Sequence, residues 1–404
     1  MAIPEMTPST PALDDPDFYL ADPHAAFRWM RRHAPVYRCE RARLWAISKH
    51  ADIMQVSRDP ETFCSARGIL IHDDLRGETP MQTPPSIIHM DPPQHNRYRK
   101  LVSRAFTPGM VAGLEGRIRA IARESLDAIR SGETHDFVEA VAVPLPMLVI
   151  ADMLGVAAED RDAFKRWSDA IIAAADTGAS PESMEHVGAL FAYFHGRLGE
   201  RRDRPQNDLL SALAAAEMDG DRLADQEVLM FCMTLLVAGN ETTRNLISGG
   251  AKALMDFPDE RRALVAHPDR LPGAVEEMLR WVTPIRSFAR TATRDTEIRG
   301  QRIAAGDYAL LLYASGNRDE EVFGPTAGVF DVGRPADAMH VAFGFGEHFC
   351  LGASLARLEA RVLFEELLDR FPDFSLAGDI VPLRSTLMNG LVRMPVTFGG
   401  RTPK

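Results

Sequence analysis

Cysteine is scarce in this 404-residue chain: Cys39, Cys64, Cys232 and Cys350 are the only four, and no two form a Cys-x-x-Cys pair. That excludes a disulfide framework and a zinc ribbon, and it implies a reducing compartment. Lysine is scarcer still relative to arginine, five residues against forty-one, so one arginine beside a motif says little. Basic residues are outnumbered, 46 against 57, and the net charge of −11 argues against a nucleic-acid binder, whose phosphate contacts need a basic footprint. No stretch reaches the ~20 apolar residues of a membrane helix; Val141–Val156 is broken by Pro144, Pro146 and Asp152. Met1–Phe27 is rich in Pro and Asp and lacks the basic-then-apolar run of a signal peptide. A cytoplasmic protein without a membrane anchor is expected. There is no repeat, low-complexity tract or long Gly/Ser linker.

What is present is ordinary globular material, 46% hydrophobic and 25% charged, which excludes a disordered or fibrous chain. Val111–Arg130, Ala158–Ala175, Met184–Arg202 and Asp208–Met218 carry apolar residues at three- and four-residue spacing and are read as amphipathic helices. Val36–Ser48 and Thr296–Tyr313 read as strand and hairpin, the latter with turns at Gly300 and Ala305-Gly306-Asp307. The expected class is mainly α with a minor antiparallel β region (α+β). Strands this far apart pair only if the whole chain closes on itself, so one large domain is expected over residues 1–404, loosely ordered through residue 17, and monomeric.

The most informative segment is Phe343-Gly344-Phe345-Gly346-Glu347-His348-Phe349-Cys350-Leu351-Gly352. Its glycines allow tight turns and close approach of a flat object to the backbone. A helical pattern follows over Ala353–Arg370, which puts Cys350 at a helix N-terminus, where free N–H groups favour a thiolate. A thiolate beneath a Gly-lined surface is what an axial haem ligand requires. A buried structural cysteine is the plainer alternative, and the spaced glycines with His348 weigh against it.

This loop resembles the haem-binding loop of the cytochrome P450 haem-thiolate monooxygenases, Phe-x-x-Gly-x-x-x-Cys-x-Gly, matching at Phe343, Gly346, Cys350 and Gly352. The similarity runs from about Phe18 to Phe398. The resemblance implies the triangular helical haem fold, haem b (iron protoporphyrin IX) as cofactor, and Cys350 as the proximal iron ligand, with Phe343, Gly344 and Gly352 against the haem.

Asp225 opens a second long helical pattern that reaches about Met255 and is interrupted by Ala238-Gly239-Asn240-Glu241-Thr242-Thr243. A mid-helix Gly costs about 1 kcal/mol relative to Ala, and a Thr can bond the i−4 carbonyl and bend the helix. Taken alone, this is as well explained by a solvated kink. The family carries Ala-Gly-x-acid-Thr here, matched by Ala238, Gly239, Glu241 and Thr242. That implies room for dioxygen over the iron and a proton relay through Glu241 and Thr242.

Glu277 and Arg280 match the family's Glu-x-x-Arg, a spacing that recurs by chance at Glu40/Arg43 and Glu241/Arg244. The resemblance implies that they bond the loop carrying Phe330 and Arg334, a structural role. Asp91-Pro92-Pro93 reads as a helix start with Asp91 as cap, and His95 and Arg99 share one face of that helix. The resemblance places His95, Arg99, Arg290 and His348 around the haem propionates.

By family position the substrate pocket is expected to be lined by Ile69, Leu70 and Ile71, Ile87 and Ile88, Phe231, Leu235 and Ala238, Ile285, Arg286 and Phe288, and Met388 to Leu391. Their apolar character suits a steroid, terpenoid or fatty acyl chain. Arg286 is the exception, turned either to solvent or to a polar end of the substrate. Leu271–Trp281 and His340–Gly352 resemble the bacterial branch that includes sterol side-chain and terpenoid oxidisers. No Gly-x-Gly-x-x-Gly follows a strand, so electrons are expected from a separate ferredoxin and its NAD(P)H-dependent reductase. Arg97, Lys100 and Arg104, extended by Arg357 and Arg361, form the candidate docking stripe. A non-catalytic haem-thiolate sensor is the alternative; it has no use for Glu241 and Thr242 or for a large apolar pocket.

Overall fold

The computed structural model describes residues 11–71, 86–177, 180–218, 220–335 and 337–400. Helices dominate, and local chemistry starts several of them. Ser180 and Ser183 form a reciprocal capping box at the head of Pro181–Asp203, with Pro181 in the first turn. Asp208 accepts from the Ser211 amide to start Leu209–Ala215. Arg161–Thr177 follows a short 3-10 turn at Ala158–Asp160. The expected helix over Val111–Arg130 is two helices, Pro108–Gly113 and Glu115–Asp127, parted at Leu114 just after a glycine, the poorest helix former after proline.

The longest helix, Asp225–Asp256, has 32 residues and runs through the main core. Helices Pro144–Met153, Leu271–Val282 and Ala353–Arg370 pack around it. It is continuous where an interruption is expected. Thr242 Oγ1 does donate to the Ala238 carbonyl one turn back, at 2.6 Å. Gly239, rather than breaking the ladder, makes room for a neighbour: a Cβ there would sit 2.8 Å from Ile150 Cδ1.

Five strands form the principal sheet, in the order Val36–Cys39, Leu44–Ile47, Tyr308–Leu312, Ser287–Ala292, Phe63–Cys64. The two distant strand regions pair directly, Tyr308 opposite Leu44 and Leu311 opposite Ile47. That pairing is parallel, not antiparallel as expected. Parallel neighbours need a long crossover, and here most of the helical body lies between them. The expected hairpin is present as Thr296–Ile298 with Gln301–Ile303, turning at Arg299 and Gly300. A second sheet ties Thr134–Asp136 to Pro395–Phe398 and Phe374–Leu376.

Residues 1–10 lie outside the described residues. Looseness through residue 17 is not what the remainder of that segment shows: Leu13 is fully buried, Tyr19 donates to its carbonyl at 3.0 Å, and a helix spans Pro16–Leu20. Among the described residues, no helix is long and apolar enough to cross a membrane.

Candidate active site

The cysteine loop holds a 3-10 turn at Gly346–His348 and leads into the head of Ala353–Arg370. Its tight form is fixed by backbone bonds, Gly344 N to Val341 O at 3.0 Å, Phe349 N to Gly346 O at 3.1 Å and Cys350 N to Phe343 O at 3.0 Å. Gly346 has a positive φ of 75°, and a Cβ on it would lie 2.1 Å from the Ser57 carbonyl. That glycine is therefore required by the protein's own backbone, a different reason from the approach of a flat ligand. Every residue from Ala342 to Gly352 is partly accessible although the flanking Val341 and Ala353 are buried. One face of the loop thus borders open space.

The same holds on the long helix. Ala238 is exposed and Leu235 and Thr242 are half-buried in an element whose other faces are packed into the core. Burial pushes the Cys350 thiol up, against the pull of the Gly352 N–H and of Arg99 and Arg357. The helix end alone does not make the thiolate that its position suggests. Coordination to a metal would, because a coordinated thiol is deprotonated outright.

Four basic side chains meet beside this space. The His95 and His348 rings lie 4.4 Å apart. His95 is buried beside the Asn96 side chain, and its ring nitrogens make no hydrogen bond of regular geometry. His348 Nε2 is 3.1 Å from Ser65 Oγ and 3.4 Å from Glu347. Arg290 is buried and spends one Nη on the Ala289 carbonyl at 2.7 Å. Arg99 donates to the Phe349 carbonyl at 2.7 Å, which fastens its helix to the cysteine loop. Burial lowers the pKa of both histidines and of Arg99. A buried imidazole without partners, two arginines with donors to spare and an accessible thiol loop fit a flat prosthetic group with anionic arms. Asp91 does not cap its own helix as expected. Its carboxylate accepts from Ser65 N at 2.7 Å and Ala66 N at 3.0 Å, pinning the turn that presents Ser65 to His348.

Glu241 is buried, and its carboxylate accepts from Arg244 on the next turn and from Asn245 Nδ2 at 3.4 Å. Thr242 meanwhile bonds Ala238, so the acid and the alcohol are engaged separately.

Arg280 grips both Glu277 oxygens at 2.7 Å and reaches the Asn317, Ala327 and Val329 carbonyls at 2.8, 2.8 and 3.0 Å. Arg334 Nε joins Glu277 at 3.0 Å, and the Asp331 amide does so at 2.9 Å. Sequence reasoning missed a second cluster next to it. Arg357 makes a bidentate pair with Glu276 at 2.7 and 2.8 Å and lies over the Phe343 ring at 4.6 Å. Glu276 also meets His340 Nε2 at 3.2 Å; burial would raise its pKa, but Arg357 and His340 hold it down at about 2. Its only sequence signal was its place beside Glu277.

The docking stripe does not survive as a row of bare cations. Arg97 is held by Asp221 at 2.5 Å and Glu227 at 2.7 Å, Arg361 by Glu115 at 2.8 Å and Glu365 at 2.7 Å, and Arg357 by Glu276. Arg104 bonds the Glu217 carbonyl at 2.6 Å. In so acidic a chain, many of the described arginines find a carboxylate distant in sequence. Lys100 remains exposed.

Of the expected pocket residues, Ile88, Leu235, Ile285, Phe288 and Met388 are partly accessible. Ile69, Ile71, Ile87, Phe231 and Leu391 are packed away, and Leu70 is on the surface. Arg286 is not turned to solvent: it is 5% exposed and bonds Ser385 O at 2.7 Å, Met388 O, and Asn389 Oδ1 at 3.1 Å.

Comparison with known proteins agrees with this architecture. The cytochrome P450 family profile matches residues 268–398. The steroid C26-monooxygenase of Mycobacterium tuberculosis (strain ATCC 25618 / H37Rv) is 41% identical over 97% of this chain and 98% of its own. The solved structure of cytochrome P450 CYP109Q5 from Chondromyces apiculatus superposes with a TM-score of 0.87 at 39% identity, covering 96% of this chain and 98% of that one. CYP109E1 from Bacillus megaterium, solved in complex with testosterone, gives 0.85 at 34% identity over 93% and 99%. Fold and relatives together define a haem-thiolate monooxygenase. The chain belongs to the cytochrome P450 family.

Proposed function

We propose that this chain oxidises steroids or apolar molecules of similar size, with Cys350 as the iron ligand and a separate ferredoxin and reductase supplying electrons. The observation that carries the substrate class is the whole-length similarity to steroid C26-monooxygenases, joined by a fold shared with a testosterone-bound relative. The accessible apolar side chains of Leu235, Ile285, Phe288 and Met388 suit a ligand bound mainly by burial. When bound, the haem supplies dioxygen activation, placing one oxygen atom in the substrate and releasing the other as water with two electrons and two protons.

The protein's part is to hold and to deliver. Arg99 and Arg290 would offset the charge of the propionates, and His95 and His348, whose pKa burial lowers, would hydrogen-bond them as neutral imidazoles. Glu241 brings protons in from the side of Arg244, which is partly exposed. The Thr242 hydroxyl hands them on when it releases the Ala238 carbonyl. Exposed Lys100, beside Arg99, leaves positive charge near the cysteine loop for an acidic donor.

The test is spectral titration of the holoenzyme with steroids, terpenoids and fatty acids. A shift of the haem spin state with steroids at the lowest concentration supports the reading, and a response confined to fatty acids or terpenoids sinks the steroid assignment. Cys350→Ser should abolish the red-shifted band of the reduced carbon monoxide complex; retention of that band would assign the ligand elsewhere. Thr242→Ala should keep substrate binding but divert reducing equivalents to hydrogen peroxide. An unchanged ratio of product to NAD(P)H consumed would remove Thr242 from proton delivery.

A further inference from the structure

Arg286 is a buried cation whose acceptors are all neutral. Its Nη1 donates to the Ser385 and Met388 carbonyls, its Nη2 to Asn389 Oδ1, and its guanidinium lies 5.0 Å from the Tyr19 ring. Backbone bonds continue the same contact: Arg286 N to Leu387 O at 2.8 Å and Asn389 N to Pro284 O at 2.9 Å, with Ile285 bridged to Met388. Within the turn, Ser385 Oγ accepts from Leu387 N and Met388 N at 3.2 and 3.0 Å. Two chain segments about a hundred residues apart are thereby locked in register. The half-buried Ile285 and Met388 sit side by side at the junction.

We propose that Arg286 is a specificity-determining positioning residue, which fixes the Ser385–Asn389 turn so that Met388 and Ile285 give one wall of the substrate pocket a single shape. It acts through the turn and never touches the ligand. The reasoning is geometric. A planar guanidinium satisfies three acceptors at set angles, which a point-like ammonium cannot reproduce. A carbonyl turn with one anchor removed keeps its sequence but loses its unique conformation, and a ligand packed against it then meets several wall shapes instead of one. The proposal rests on the pocket reading above for its location, though not on the steroid assignment.

The experiment uses the haem-loaded full chain and three iron-ligating azoles of rising size: imidazole, 4-phenylimidazole and clotrimazole. These report pocket shape whatever the natural substrate is. Arg286→Lys keeps the charge and loses the fork; Asn389→Ala keeps the arginine and removes one acceptor. Both variants should retain the carbon monoxide band and bind imidazole within about twofold of the parent. Affinity for clotrimazole relative to imidazole should change ~5–10-fold in Arg286→Lys, the worth of one or two hydrogen bonds, and less in Asn389→Ala. A folded Arg286→Lys with parental ratios would overturn the proposal, because charge alone would then suffice. So would parallel weakening of all three azoles, or loss of the carbon monoxide band in both variants, either of which makes the residue purely structural. Failure of steroids to shift the parent's spin state would count against the substrate class and leave the azole ratios to decide the role of Arg286.

Discussion

Arg280 and Arg286 are six residues apart, both buried, at 1% and 5% exposure, and they are stabilised in opposite ways. Arg280 shares the Glu277 carboxylate with Arg334 and fills its remaining donors with three carbonyls. Arg286 has carbonyls, one amide and a ring, and burial pulls its pKa down to about 10, still far enough above neutrality to keep it charged. The first arrangement suits a scaffold, since a carboxylate shared by two guanidiniums offsets part of their charge and fixes both in place. The second leaves a net positive charge in a turn at the pocket wall, held by geometry alone. The Glu277 cluster braces the fold, whereas the Arg286 turn is the one proposed to give a pocket its shape.

The sharpest way to break this contrast is to make Arg280 resemble Arg286. Glu277→Gln removes the only carboxylate from the cluster and leaves two guanidiniums, Arg280 and Arg334, on one amide. Removing one partner of a buried pair typically costs ~3–5 kcal/mol, and one former acceptor oxygen becomes an amide NH2 that faces guanidinium donors. Urea unfolding of the holoenzyme should show a fall of that size, with haem released at lower denaturant. A loss below about 1 kcal/mol would mean that the carbonyls alone hold Arg280, and the two arginines would then be equivalent.

Glu359 carries the comparison to the opposite sign and to its limit. It lies on the Ala353–Arg370 helix at 1% exposure, its Oε2 has no partner, and burial alone raises its pKa to about 8 from an ordinary 4.5. The folded protein therefore holds a proton that the unfolded chain releases above about 4.5. Stability tied to that proton is complete below pH ~4.5, falls as pH rises, and levels off above about 8. Glu359→Gln has no such slope. Its stability relative to the parent, read from urea unfolding, should rise between pH 5 and pH 8 by on the order of 2 kcal/mol once local relaxation is allowed for. Parallel pH curves would show that Glu359 is compensated after all.

How much of this was legible in the sequence follows the same division. The cysteine loop, the Thr242 back-bond and the Glu277–Arg280 pair were readable because each is closed within a turn or two of chain. The bonding partners of Arg286 have no local signal, since they lie about a hundred residues downstream on a turn with no signature of its own. Arg97 and Arg357 read as docking cations in the sequence because nothing local reveals Asp221 or Glu276 as neighbours. Asp91 stood where a helix cap belongs, yet bonds a turn 25 residues upstream. Gly346 was recognised as necessary, but its reason, the Ser57 carbonyl, exists only in three dimensions. Even the parallel strand pair escapes a local reading, since direction in a sheet is set by the crossover and not by the strands.

The smallest expected effect tests whether burial or the number of partners decides the matter. Arg361 is better supplied with carboxylates than Arg286, pairing with Glu115 at 2.8 Å and with Glu365 one turn on at 2.7 Å. Yet its side chain is 28% exposed, and those of Glu115 and Glu365 are 41% and 30%. Solvent screens such pairs, and holding long side chains in place offsets much of the attraction, so ~0.2–1 kcal/mol is typical. Arg361→Gln should therefore shift the urea midpoint only slightly, and the shift should shrink further in high salt, where exposed pairs are screened. Glu277→Gln should keep nearly all of its effect under the same salt, because water and ions do not reach that cluster. If Arg361→Gln proved as damaging as Glu277→Gln, or salt-independent, counting carboxylates would predict the outcome better than burial, and Arg286 would need another explanation for its stability.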